Sequence, residues 1–256
     1  QFIFPPDVNY VTNHHHANRA PLTYPMAQGD YVGAYYDEPT DISWYKNNAY
    51  ATSHFAAPSK YDFFGGYDHG KKAGVIHIAN HHVSPGKKMF TWGLSKLAKS
   101  WEQALTDTDG PYCELMAGSY SNNQPDFTWL NPYETKCFSE FWYPVGPLGK
   151  ASFATLEAAV YVDLAGGTLR VQTTAVQHDL RVTLRAAKSG LWQFRVREIT
   201  VRDPLGLFAV PCAVPPQSRE LCILPPAEGE DDGAGTKPQN KVEKVTAAGR
   251  DMADGV

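Results

Sequence analysis

Tyr112-Cys113-Glu114-Leu115-Met116-Ala117-Gly118 is the stretch from which the fold can be read. Its apolar residues follow one another without a helical period. Asp109-Gly110-Pro111 leads into it, and the polar run Ser119-Tyr120-Ser121-Asn122-Asn123-Gln124-Pro125-Asp126 follows it. A short apolar run bounded by turn residues is a strand signal. Glu114 stands inside it, and a carboxylate among apolar neighbours carries a desolvation cost unless paired, a condition that suits a general base. An outward-facing strand glutamate is the alternative reading of the same residue.

Working outward, further turns sit at Phe64-Gly65-Gly66, Ser84-Pro85-Gly86-Lys87 and Asn131-Pro132. Between turns, Gly74–Ala79 and Lys136–Tyr143 also read as strands. One helical stretch stands out: Leu94, Leu97, Ala98, Trp101 and Leu105 recur at three- and four-residue spacing, with Lys96, Lys99 and Glu102 off that stripe. The expectation is a mostly β chain with one packed helix rather than an alternating βαβ chain.

Composition supports this. Tyr and Phe, 14 and 12, far outnumber the 4 Met, which suits strands better than a helical bundle. A net charge of −4 supplies no basic field for nucleic acid, so no nucleic-acid partner is expected. No run approaches the roughly 18 apolar residues of a spanning helix. Cys113, Cys137, Cys212 and Cys222 form no CxxC pair, so they read as free, mostly buried thiols, which would suit a reducing cytoplasm. No compartment is assigned. Opening on Gln1-Phe2-Ile3-Phe4-Pro5-Pro6 with no initiator Met, the chain reads as an excerpt of a longer polypeptide.

Usage shifts along the chain. Before Tyr161 the only arginine is Arg19, whereas between Arg170 and Arg219 the only lysine is Lys188. After Gly149 only Tyr161 and Trp192 remain of the Tyr and Trp residues. A boundary is therefore expected between Gly146 and Lys188. The segments are read as 1–150, a β-hairpin continuation over 151–187, a β segment of different origin over 188–225, and a disordered tail over 226–256. Ala159–Leu164, Thr168–Gln172 and Leu180–Leu184 alternate as strands, with Gly166-Gly167 as a hairpin turn. The stretch from Pro225 has no apolar period.

Two more constellations could carry chemistry. In Asp62-Phe63-Phe64-Gly65-Gly66-Tyr67-Asp68-His69-Gly70 the glycines permit close backbone approach, and Tyr67, Asp68 and His69 set a ring beside hydrogen-bonding groups. Sugars engage that combination, and Trp44-Tyr45-Lys46 offers a second platform. A Gly-rich hairpin with core aromatics is the alternative. Histidines are dense, at His14-His15-His16, His54, His69, His77 and His81-His82. Consecutive histidines on a strand face opposite ways and lack carboxylates or cysteines at ligand spacing, so no metal is assigned and loop histidines lining a cleft are favoured.

The run from Tyr112 to Gly118, then Asn123-Gln124-Pro125-Asp126 and Leu130-Asn131-Pro132-Tyr133-Glu134, resembles the closing strands of galactose mutarotases. The match is closer to a bacterial family, domain of unknown function 5107, often joined to tetratricopeptide repeats. Its hallmarks stand here as Asp41–Asn47, Phe63–Gly70, Pro85–Lys88, Thr91–Gly93, Leu105–Tyr112 and Phe141–Pro144, with weaker similarity to about residue 175. The resemblance implies a partial galactose-mutarotase-like supersandwich with a sugar-binding face, no cofactor, and a tetratricopeptide-repeat region in the parent chain. By analogy Glu114 would take the anomeric hydroxyl proton, while the family's acid-side histidine would lie before Gln1, leaving this stretch inactive alone. The expected substrate groups are Trp44, Tyr67, Asp68, His69, His81, His82 and Asp126. A non-catalytic sugar-recognition or interaction module of a repeat scaffold is the alternative. From about Lys188, the run ending Arg202-Asp203-Pro204-Leu205-Gly206-Leu207-Phe208 resembles a second family, domain of unknown function 58.

Overall fold

The structure is a computed structural model. It describes residues 1–12, 21–31, 34–56, 58–122, 126–165 and 168–175, and beyond them 182–185, 190–195, 199–202, 209–212, 218–223 and 244–247. His14-His15-His16, Arg202-to-Phe208 apart from Arg202, and most of 226–256 lie outside the described residues.

The chain divides into two units, Gln1–His178 and Asp179–Val256. In the first, the strands are β1 (Phe2–Ile3), β2 (Tyr10–Thr12), β3 (Leu22–Thr23), β4 (Met26–Tyr31), β5 (Ala34–Asp41), β6 (Thr52–Ala56), β7 (Phe63–Asp68), β8 (Ala73–Ala79) and β9 (Gly86–Thr91). Helix α1 (Lys96–Thr106) follows, then β10 (Cys113–Gly118), β11 (Glu140–Val145), β12 (Phe153–Ala154), β13 (Ala158–Ala165) and β14 (Thr168–Ala175). The second unit contributes β15 (Val182–Arg185), β16 (Gly190–Arg195), β17 (Ile199–Arg202), β18 (Ala209–Cys212), β19 (Ser218–Ile223) and β20 (Lys244–Ala247). They pair β15 with β20, β16 with β19 and β17 with β18, all antiparallel. The pairing of β20 is not anticipated by its polar sequence.

In the first unit a four-stranded sheet runs β1-β7-β8-β11, a five-stranded sheet β10-β9-β6-β2-β3 and a three-stranded sheet β12-β13-β14. Every described pairing is antiparallel. Strand alternation divides the four-stranded sheet into two apolar faces. Phe2 and Phe64 point into one core with Val11, Leu22, Tyr24, Ile42 and Met89, and Leu115 and Ala117 of β10 pack against it. Ile3, Phe63, Tyr67, Ile76, Ile78 and Val145 point into the other, against Ala154 and Ala159. The four-stranded sheet is therefore the middle layer.

The helix forms where its sequence predicts, with the Ser95 hydroxyl accepting from the Ala98 N–H as N-cap. Its apolar stripe is left largely in solvent, however. Only Ala98 is buried, while Leu94, Leu97, Trp101 and Leu105 are exposed. The contacts that tie it to the sheet side are a parallel stack of Trp101 on Trp92 (4.9 Å) and a bond from the Tyr45 hydroxyl to Glu102. The thiols also differ from expectation: Cys113 and Cys137 are free but exposed, one opening an edge strand and the other on the loop before β11.

Candidate functional site

At one end of the middle sheet, β7 turns into β8 through Asp68. Its Oδ1 accepts from the Gly70 N–H (2.8 Å) and the Lys71 N–H (3.0 Å), closing the turn. The Lys71 bond, seconded by Gly70, holds the carboxyl below its usual range. His69 stacks on Trp44 (4.7 Å, 26°) and meets the edge of Tyr67 (5.0 Å, 78°). Its Nε2 lies 2.9 Å from the Gln1 Oε1, so it donates to that oxygen. Lys46 Nζ sits 5.1 Å from the Trp44 ring. Residues 44 and 67–69, far apart in the chain, thus form one aromatic corner. Tyr67 belongs to the core, and the exposed polar part of the corner is His69 and Asp68.

The corner is braced from within. Asn48 Nδ2 donates to the Trp44 carbonyl (2.8 Å) and the Ile42 carbonyl (3.2 Å). Its Oδ1 is therefore left for the buried His54, whose Nε2 stands 2.9 Å away and must carry the proton. Burial pulls His54 down to about 3, so the ring is neutral. This brace behind Trp44 is invisible to sequence reading, because Asn48 and His54 carry no recognisable spacing.

His81 and His82 are elsewhere. The His81 N–H and Nδ1 both address the Asp62 Oδ1, at 2.8 and 2.7 Å, and the His82 N–H reaches the Asn80 side chain. Asp62 precedes β7 and Asp68 closes it, so the two groups sit about 20 Å apart along the strand. The single cleft expected from sequence is thus split over two ends. Asp126 lies on the exposed loop beyond β10, and close packing requires a glycine at Gly65. A Cβ on Gly65 would clash with the Val75 carbonyl.

Glu114 occupies the edge strand of the five-stranded sheet, half-buried. It pairs opposite Phe90, and Phe90 opposite Ser53. Two residues along, Met116 pairs opposite Lys88, and Lys88 opposite Phe55. Paired residues share a face. Glu114, Phe90, Ser53, Met116, Lys88 and Phe55 therefore share one, and Leu115, Met89 and His54 the inner one. Beside Glu114, its charge pushes the Tyr112 phenol up. Cys113, the residue before it, lies within electrostatic reach of Asp68, which puts the start of β10 near the Trp44–His69 corner.

The inner face of the middle sheet holds a second polar group. His77 sits between the rings of Phe64 (4.7 Å) and Trp142 (4.5 Å) and donates from Nε2 to Glu140 (3.2 Å). Burial, against the opposing pull of Glu140, lowers its pKa. Among the described residues, no three His, Cys, Asp or Glu side chains converge as metal ligands would. The loop before β11 displays Phe127, Trp129 and Tyr133 in solvent, the first two edge to face at 5.4 Å.

A family model described as Domain of unknown function (DUF5107) matches residues 5–145. The chain is also similar to a solved structure, a TPR-domain containing protein from Parabacteroides distasonis ATCC 8503. Identity is 23%, with a TM-score of 0.42, over 56% of this chain and 22% of that one.

Proposed function

This chain belongs to the family of Domain of unknown function (DUF5107), and we propose that its first unit recognises a carbohydrate at the Glu114 face of the five-stranded sheet. The observation that carries the reading is the register: one face aligns the half-buried Glu114 carboxylate with the half-buried Phe90 ring, with the buried Ser53 next in the row. A sugar presents hydroxyls to a carboxylate and C–H surface to a ring, so these neighbours suit it. In the catalytic form of the reading, which draws on the mutarotase resemblance, Glu114 takes the anomeric hydroxyl proton as the ring oxygen leaves. Its bond to the anomeric carbon breaks, and solvent water returns a proton to the ring oxygen.

The non-catalytic form also has an observation in its favour. Among the described residues, no histidine is hydrogen-bonded to Glu114. On this form the chain holds a glycan without turning it over, for a repeat scaffold in the parent protein.

Galactose anomer interconversion, followed by polarimetry, separates the two. The enzyme form expects acceleration that Glu114→Gln abolishes while galactose binding and the thermal midpoint stay in place. Acceleration unchanged in that variant rejects Glu114 as base. The recognition form expects binding with no acceleration, kept in Glu114→Gln, whose amide oxygen still accepts from a hydroxyl, and weakened in Phe90→Ala. Absence of glycan binding discards both.

A further inference from the structure

Lys88 and its neighbour Lys87 point to opposite sides of β9 and meet different surroundings. The Lys87 ammonium is buried on the inner side, within electrostatic reach of Asp62 and Asp7. Lys88 lies on the Glu114 side, half-buried, with Nζ 5.5 Å from the Phe55 ring. Its ammonium leans toward Gly118, where a Cβ would stand 3.4 Å from Nζ. Among the described residues no carboxylate pairs with it. An ammonium drawn half out of water without a counter-ion is costly, and burial pulls its pKa down.

Gly118 is four residues along β10 from Glu114, about 13 Å at strand rise. The carboxylate and the ammonium therefore mark two ends of one face, with Phe90 beside Glu114 and Met116 between the two charges. We propose that the sugar taken by this face carries an anionic group remote from its anomeric carbon, and that Lys88 binds that group. The inference rests on the carbohydrate reading above and names its substrate class. A neutral sugar would leave the Lys88 charge uncompensated, whereas a carboxylate or phosphate supplies the missing partner. A uronic acid and a sugar phosphate share this chemistry.

The test is calorimetric binding of galactose, galacturonate, galactose 6-phosphate and inorganic phosphate to the 256-residue chain. The expected result is that at least one anionic sugar binds about tenfold or more tighter than galactose. Lys88→Met, which keeps the aliphatic stem over Phe55, should erase that preference, and Lys88→Arg should keep most of it. Raising salt from about 0.05 to about 0.5 M should shrink the preference in the wild type, an observation that holds even if Lys88→Met fails to fold. The tighter of the two anionic sugars identifies the source of the charge. Equal affinity for neutral and anionic sugars, or a preference untouched in folded Lys88→Met, overturns the inference and leaves carbohydrate recognition standing. Inorganic phosphate binding as tightly as the sugar phosphate also overturns it. No binding of any of the three sugars overturns both readings.

Discussion

His54 shows how a single side chain can tie stability to the geometry of the corner. Its neutral ring holds Asn48, and Asn48 holds the Trp44 carbonyl. In the unfolded chain the ring would take a proton near pH 6.5, whereas burial delays this to about 3 in the folded protein. Protonation therefore favours the unfolded state. The His54 contribution is complete above about pH 6.5 and is lost progressively as pH falls toward 3, up to about 5 kcal/mol over the range. His77, lowered by burial as well, acts in the same direction. Urea midpoints measured from about pH 7 to about pH 4 should fall steeply, and His54→Gln should flatten part of that fall. An unchanged slope in His54→Gln would mean that the ring titrates as in water. Asp68 shows the converse: its carboxylate is engaged by the turn it closes, so a residue chosen from sequence as a sugar ligand already has a structural occupation.

At the scale of elements, the strand reading held where apolar runs were bounded by turns, as in β8, β10, β13 and β14. It overran at the start of β11. There Lys136 Nζ turns back to Thr128 (2.9 Å) and to the Trp129 carbonyl, and pairing with β8 begins only at Glu140. The glycines of β7 are legible as glycines but not for their purpose. Gly65 allows the Val75 carbonyl and Ile76 to close in, whereas a Cβ on Gly66 would meet the Leu115 side chain at 3.4 Å and the Gln1 carbonyl at 3.8 Å, both ordinary contacts. Gly65→Ala should therefore destabilise the protein by about 2–3 kcal/mol, and Gly66→Ala by less than about 1 kcal/mol. Denaturant midpoints of the two variants check this, and equal costs would contradict the packing account. Helix α1 makes the related point that period alone predicts a helix but not its burial. The stripe is present, yet Trp92 and Tyr45 offer it only a narrow seat.

For the whole molecule, both described cores draw on residues between Phe2 and Tyr161, all within Gln1–His178. A chain ending at His178 is expected to melt in one cooperative calorimetric transition, with an enthalpy of about 120 kcal/mol near 60 °C. A broad, non-cooperative melt would show that these cores do not suffice. The mostly β character, the helix, the hairpin of β13 and β14 and the strand bearing Glu114 all follow from periodicity and turn chemistry, which are local properties of the chain. The family, too, was legible from ordered motifs over the first 145 residues, and the family model matches there. Which side chains share a face could not be read locally, because a one-residue change of register exchanges the two faces of a strand. Only the pairing of β10, β9 and β6 sets Lys88 and Phe90 beside Glu114, and only the length of β7 parts His81 and His82 from Trp44 and His69. Sequence determined the main elements; long-range pairing, whose partners are tens of residues apart, decided which side chains share a face.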